Sequence, residues 1–548
     1  MRLTVDAPAG RQSLIPNRLS THRRRTMWSC TALTLVVALA VLYRTYALDR
    51  LPPGLFGDEA ADGLVAADIL AGRAWPIYIE EPAATKWTSR EPLYHYLTAG
   101  VFAVLAPSAW SLRLTSAIIG SATVLALALL AGRLFGARIG FIAAALLAVS
   151  RWHVTASRIG LRAIVEPLML VAVVYAFVVL LERRTRGAAA ACGVLLGLGF
   201  YSYPSYWVVP LALLLVLAVV LRIGVRQPIA PLGAAAGLCA LIVAAPLIGY
   251  AAAKPDYFFA RITRVAGDTA ARHGPPFLLD NAQRVLLMLH VRGDNTPRHN
   301  IPGAPQLDPI SGALFMVGVF LVLRGGGLDP PRRVGLLAFW LLPLVPSALS
   351  DPAPHALRAL GAAPAVCVIA ALGLDRLTAA AERRLPAAGP VLIVLVLIST
   401  SVLNWRAYFD EWATRPELAA AFNTDAVRFF DLTFDLADRD DVYASPAFDR
   451  APQRRFLALR RDGAWHRIDG VQAFTGTAAA RDRVFICDTP ALQVAVEELY
   501  PRAEVIARFT EAGQHGTVYR VQRDTLRPAL GEQQQALIDA LVGGDGDR

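Results

Sequence analysis

The sequence predicts an α-helical polytopic membrane protein of about eleven transmembrane helices that ends in a small α/β domain. Three observations carry that reading. Of the 548 residues, 55% are hydrophobic, the mean hydropathy is +0.44, and many apolar runs reach roughly 16 to 23 residues, the length that crosses a bilayer. Arginine-rich connections alternate with arginine-poor ones, as cytoplasmic loops alternate with external ones. From about Asn404 onward charges become frequent and short β-like runs replace the apolar stretches.

The elements follow in order. Residues 1–26 are the cytoplasmic N-terminal segment, because His22-Arg23-Arg24-Arg25 precedes the first apolar run, 27–48. That run is too long for a signal-peptide core and lacks a small-residue cleavage site, so it reads as a retained anchor. Further spans are expected at 113–131, 138–150, 162–181, 187–201, 204–222, 228–250, 309–323, 334–349, 357–373 and 388–403. The connections bearing Arg133/Arg138, Arg183/Arg184/Arg186, Arg222/Arg226, Arg324/Arg332/Arg333 and Arg376/Arg383/Arg384 then fall on one face, the cytoplasmic one. The apolar segment 93–106 reaches only about 21 Å as a helix, short of a core of about 30 Å, and is read as lying on or dipping into the outer face. The membrane domain thus covers 27–403, with long external loops at 49–112 and 251–308. Residues 404–535 form an external α/β domain. Its β-like runs begin at Asp441, Arg455, Arg483, Val505 and Thr517, and its amphipathic stretches lie near 421–438 and 490–500. The glycine-rich end, 536–548, is expected to be a disordered tail.

The net charge of +11 is carried almost wholly by arginine, since Lys86 and Lys254 are the only lysines. The positive-inside rule and contact with anionic membrane lipids account for it. No basic patch with interleaved aromatics points to nucleic acid. Cys30, Cys192, Cys239 and Cys367 lie in or beside apolar runs and Cys487 stands alone, so no disulfide framework is implied.

Four polar clusters fall on the external face. The first loop holds Asp58, Glu59, Asp62, Asp68, Glu80, Glu81, Lys86, Arg90 and Glu91, with Asp58 and Asp62 on one face if the following segment is helical. A carboxylate in a loop folded over a membrane cavity is placed to act as a general base; a solvated loop of scattered charges is the plain alternative. The second cluster, Arg151, His153, Arg158 and Arg162 with Glu166 at a span entrance, puts three arginines on the side where cations are scarce. Paired donors to a lipid-linked phosphate would explain them, as would ion pairs closing a helix bundle. The third is Asp294, Arg298, His299 and Asn300 between turn formers, and the fourth is Asp351-Pro-Ala-Pro-His355-Ala-Leu-Arg358. A phosphate-binding glycine loop, Gly-x-Ser-x-Gly and His-Glu-x-x-His are all absent from the sequence.

Several of these pieces occur together in one known group. The external Asp58-Glu59 precedes Glu91-Pro-Leu-Tyr94-His-Tyr96. Arg113-Leu-Thr-Ser-Ala, Arg133-Leu-Phe-Gly136, Ser157-Arg158 and Glu166-Pro-Leu follow. His299-Asn-Ile-Pro-Gly303 and His355-Ala-Leu-Arg358 close the set. Across roughly 27–375 the chain resembles the GT-C superfamily of membrane glycosyltransferases, in particular the protein O-mannosyltransferase and aminoarabinose transferase group. The resemblance implies a polyprenyl- or dolichyl-phosphate-linked sugar donor, an acceptor entering from outside (a protein, a lipid or an envelope glycan) and inverting transfer. It implies Asp58 as general base, with Glu59 orienting it or the acceptor and Glu166 as a supporting carboxylate, although the family often has Asp there. It places Lys86 near the lipid phosphate. Arg90, Glu91, Tyr94, Arg158, Arg162, Arg298, His299, Asn300, His355 and Arg358 are the expected substrate-binding residues. Members differ in metal use; a divalent metal on Glu91 with His299 or His355 is one arrangement, and no spacing fixes it. A lipid-linked glycan flippase, which needs the same lipid but no base, and a membrane scaffold are the competing readings.

Overall fold

A computed structural model describes residues 22–82, 88–223, 229–445, 448, 450–461, 465–476, 481–511 and 514–542. Helices dominate to residue 412. They begin with α1 (His22–Thr45), α2 (Gly57–Leu70), α3 (Leu93–Leu105), α4 (Ala109–Phe135), α5 (Ala137–Val149), α6 (Arg151–Ser157), α7 (Val165–Arg183), α8 (Arg186–Gly199), α9 (Val209–Arg222) and α10 (Ile229–Ala253).

Among the described residues six helices are long and apolar enough to cross a membrane: Ala109–Phe135, Arg162–Arg183, Pro204–Arg222, Ile229–Ala253, Leu360–Glu382 and Ala388–Trp412. A seventh is α5 with α6, bent by 60°. The chain is a multi-pass integral membrane protein, with fewer full-length helices than the eleven expected. The expected spans 187–201 and 309–323 are helices of only 14 and 15 residues, Arg186–Gly199 and Pro309–Leu323. The expected span 334–349 is broken into Pro330–Leu341, a short 3-10 turn and Val345–Ala348. Pro343 and Pro346 cause the break, since each removes a backbone donor and crowds the preceding turn.

The short helices compensate by packing closely. At Gly193 and Gly197 of α8 an added Cβ would come within 2.2 Å of the Ala236 carbonyl and 2.6 Å of the Ala240 carbonyl on α10. Glycines four apart let the two backbones touch, the small-residue contact common between membrane helices.

The C-terminal part holds a five-stranded mixed sheet of order β2-β1-β3-β5-β4. Its strands are β1 (Asp441–Ala444), β2 (Trp465–Arg467), β3 (Arg483–Cys487), β4 (Glu504–Glu511) and β5 (Gln514–Val521). β2, β1 and β3 run parallel, while β5 and β4 are antiparallel. Helices Thr424–Ala437 and Pro490–Leu499 supply apolar faces to it. The β-like run from Arg455 is helical instead, Pro452–Leu457, with proline in its first turn. Helix Glu532–Val542 occupies part of the expected disordered tail because Ile538 is buried against the sheet domain. Residues 543–548 lie outside the described residues.

Late segments hold both long loops in place. The Leu55 amide donates to the Phe422 carbonyl at 2.8 Å. The Trp412 indole donates to the Pro297 carbonyl at 2.7 Å. The Phe456 ring fills the space over Gly63 of α2, where an added Cβ would lie 2.3 Å from it.

Candidate active site

The site grows from the first turn of α2. Glu59 is fully buried, and its two oxygens accept from Arg113 at 3.0 and 3.1 Å. They also accept from the backbone amides of Phe56 and Gly160. All of its acceptor capacity is used inside the protein, so Glu59 fixes the start of the helix rather than meeting a substrate. That fixing leaves the neighbouring Asp58 exposed. One turn on, Asp62 is buried, and its Oδ1 accepts from Arg90 at 2.8 Å and from His95 at 3.0 Å. Burial raises the Asp62 carboxyl pKa, but the His95 and Arg90 charges outweigh it and hold the group down at about 2.

Glu91, at the end of the extended segment before α3, accepts from Arg162 Nε at 3.2 Å. Arg162 lies over the Tyr203 ring, 5.5 Å from its centre, and its Nη2 has no partner among the described residues. The loop 291–308 contributes Asp294, whose carboxylate takes Nδ1 of His299 at 3.1 Å and the Ala356 amide at 2.8 Å. The His299 and His355 rings stand 4.9 Å apart. Burial pushes both imidazoles below their ordinary pKa, toward the neutral form. Burial raises the Asp294 carboxyl, and the bond from His299 with both histidine charges more than reverses this, leaving it low. One ligand atom each from Asp294, His299 and His355 lies within 4.8 Å of the others, a donor set of two imidazoles and a carboxylate that suits a divalent transition metal. Glu91 is not in that set, because Arg162 holds it.

Arg298 sits over the Phe56 ring at 3.9 Å and feels Asp58, Glu59 and Asp294. Arg358 feels Asp294, Tyr203 and Arg261. Burial lowers the pKa of both guanidiniums. Direct contacts join Asp294 to His299, His299 to His355 and Arg162 to Tyr203, and longer-range charge interactions link these to Asp58, Arg298 and Arg358 in one polar ring. All four external clusters of the sequence contribute to it.

Other expected residues lie elsewhere. Arg158 is fully buried, donating to the carbonyls of Tyr43, Tyr46 and Leu51 and to the Tyr408 hydroxyl, with the Tyr408 and Phe409 rings beneath it. It clamps the end of α1 with four of its five N–H donors and is sealed from solvent, contrary to the expectation that it meets a phosphate. Asn300 is a buried strut between Arg151, Asp294 and Ala304. Tyr94 is buried with its hydroxyl on Leu112 and Ser116. Arg90 is occupied by Asp62 and Glu81. Glu166 is buried at the start of α7, one oxygen taken by the Ser205 hydroxyl and the other without a partner among the described residues. Lys86 lies outside the described residues. Sequence reasoning missed Tyr203, which gave no signal beyond its place in Tyr201-Ser-Tyr-Pro204. It also missed Asp294 as the partner of both histidines.

Residues 89–250 match the sequence family described as dolichyl-phosphate-mannose-protein mannosyltransferase. A search of curated proteins found no significant match. Among solved structures, ArnT from Cupriavidus metallidurans in the apo state is similar with a TM-score of 0.55 at 14% identity, over 92% of this chain and 100% of that one. ArnT from the same organism bound to undecaprenyl phosphate gives 0.52 at 15% identity with the same coverage. At these identities the structural likeness is one of fold; the segment that matches the family contains Glu91, Arg162 and Glu166. The resemblance drawn from the residues is borne out: residues 89–250 are those of a membrane glycosyltransferase of the protein mannosyltransferase kind, and 92% of the chain shares the fold of ArnT.

Proposed function

We propose that this protein moves a sugar from a polyprenyl-phosphate donor to an acceptor hydroxyl at the external membrane face, with inversion, and that Asp58 is the general base. The observation that carries the reading is the position of Asp58. It is the exposed carboxylate of the ring, whose other carboxylate, Asp294, is buried against His299 among three arginines, two imidazoles and Tyr203. The Asp58 carboxylate takes the proton of the acceptor hydroxyl. The acceptor oxygen attacks the anomeric carbon from the face opposite the phosphate, and the carbon–oxygen bond to phosphate breaks. Polyprenyl phosphate then leaves with the bonding electrons. Arg162, Arg298 and Arg358 are placed to bind the phosphate and offset its growing charge, which matters most in a site that excludes water. Asp294, His299 and His355 would hold a divalent metal, which would add Lewis-acid charge beside the leaving phosphate. ArnT bound to undecaprenyl phosphate supports the lipid class by analogy of fold. The eleven crossings belong to the same proposal, the shorter helices counted as crossings beside the long ones, with the N-terminus inside and the sheet domain outside.

The test is turnover by purified protein on a panel of polyprenyl-phosphate-linked hexoses and pentoses. Asp58→Asn keeps the shape and is expected to lose on the order of 100-fold or more while still binding undecaprenyl phosphate. Near wild-type turnover by Asp58→Asn would show that the base is misassigned. Lipid movement without sugar transfer by the wild-type protein would favour the flippase.

A further inference from the structure

Asp62 makes contacts that its neighbour Asp58 does not explain. Its Oδ1 joins three elements: α2 on which it sits, the extended segment through Arg90, and α3 through His95. Arg90 is pinned a second time by Glu81 and a third time by its backbone, which exchanges hydrogen bonds of 2.9 and 3.0 Å with Ile79. The next residue is Glu91, and Glu91 is the carboxylate that orients Arg162. The open Nη2 of Arg162 therefore points where this chain of contacts sends it. A buried donor left without an acceptor is unfavourable, and an anion accepting from it relieves the cost. The second oxygen of Asp62, Oδ2, is buried and without a partner among the described residues, so the carboxylate faces the frame rather than solvent.

We infer that Asp62 is a positioning residue, which through Arg90 and Glu91 sets Arg162 to grip the phosphate of the lipid donor. The inference rests on the donor-site reading above. It also moves Arg90 from the substrate to the frame.

Full-length protein in lipid nanodiscs is titrated with undecaprenyl phosphate as the probe, so the identity of the sugar does not enter. Asp62→Asn and Arg90→Gln are each expected to raise the Kd about tenfold. The double variant should be no weaker than the worse single one, because both break the same chain of contacts. Arg90→Lys should recover part of the loss, having one donor to Asp62 but no fork for Glu81. Melting temperatures recorded alongside identify any variant that fails to fold, and if Asp62→Asn does so, Arg90→Gln and Arg90→Lys decide. If Arg162→Ala binds the probe as well as wild type, the donor-site reading itself is wrong. If Arg162→Ala weakens binding while Asp62→Asn and Arg90→Gln do not, or if their losses add, only the positioning role falls.

Discussion

Arginine 158 and arginine 358 look alike in the sequence, and the structure gives them opposite work. Both fall on the predicted external face, where cations are expected to be scarce and an arginine needs a partner. Arg158 finds its partners in three backbone carbonyls more than a hundred positions away and in two aromatic rings. Carbonyls are present at every residue, so no pattern of side chains could announce them. Arg358, by contrast, is half-buried beside Asp294 and Tyr203 on the rim of the site. Arg158→Ala is therefore expected to lose about 3 kcal/mol or more through unmet carbonyls and lost packing, read as a large drop in melting temperature in detergent. Arg358→Ala should melt near wild type and bind undecaprenyl phosphate more weakly. The reverse pair of results would exchange the two roles. The same logic separates Asp58 from Glu59. Adjacent acids on a helix start point about 100° apart, so one can be sealed in while the other stays in water.

Elements were legible where periodicity or composition dominates, and illegible where a distant partner decides. The long apolar helices α4, α7 and α10 follow directly from their runs, and β1 and β3 from short β-branched or aromatic segments. Two errors are instructive. The run 334–349 is apolar enough to cross, but its prolines break it. Arg455-Phe-Leu-Ala-Leu is a short apolar run that reads as β-like, yet Pro452–Leu457 is a helix, and it carries Phe456 to the bare face of α2 at Gly63. That contact can be probed. Gly63→Ala places a methyl 2.3 Å from the Phe456 ring, an overlap expected to cost about 1–3 kcal/mol. Phe456→Ala opens a gap of its own, but in the Gly63→Ala background it should cost less than in the wild type. Strictly additive losses in melting temperature would mean that the ring yields without strain and does not hold α2.

For the whole molecule, the alternating arginine loops predict a topology that accessibility labelling can check. In a cysteine-free background, Thr185→Cys should react with a membrane-impermeant reagent only after the cell is opened, and Arg450→Cys should react from outside. The opposite pattern at either position reverses the assignment of faces. Class and family could be read from the sequence, because hydropathy and a few motifs suffice for them. The closure of the polar ring could not, since it joins residues from position 58 to position 358 that share no local pattern. The hold on α2 reaches further still, to Phe422 and Phe456. This has a consequence in time. The ribosome makes the helix bearing Asp58 early and the residues that brace it last, so at about 5–20 residues per second that helix waits roughly 20–80 s for its braces. A message cut short before codon 456 would accordingly yield a chain inserted in the bilayer with most of its spans, yet with the helix of its proposed base unsupported.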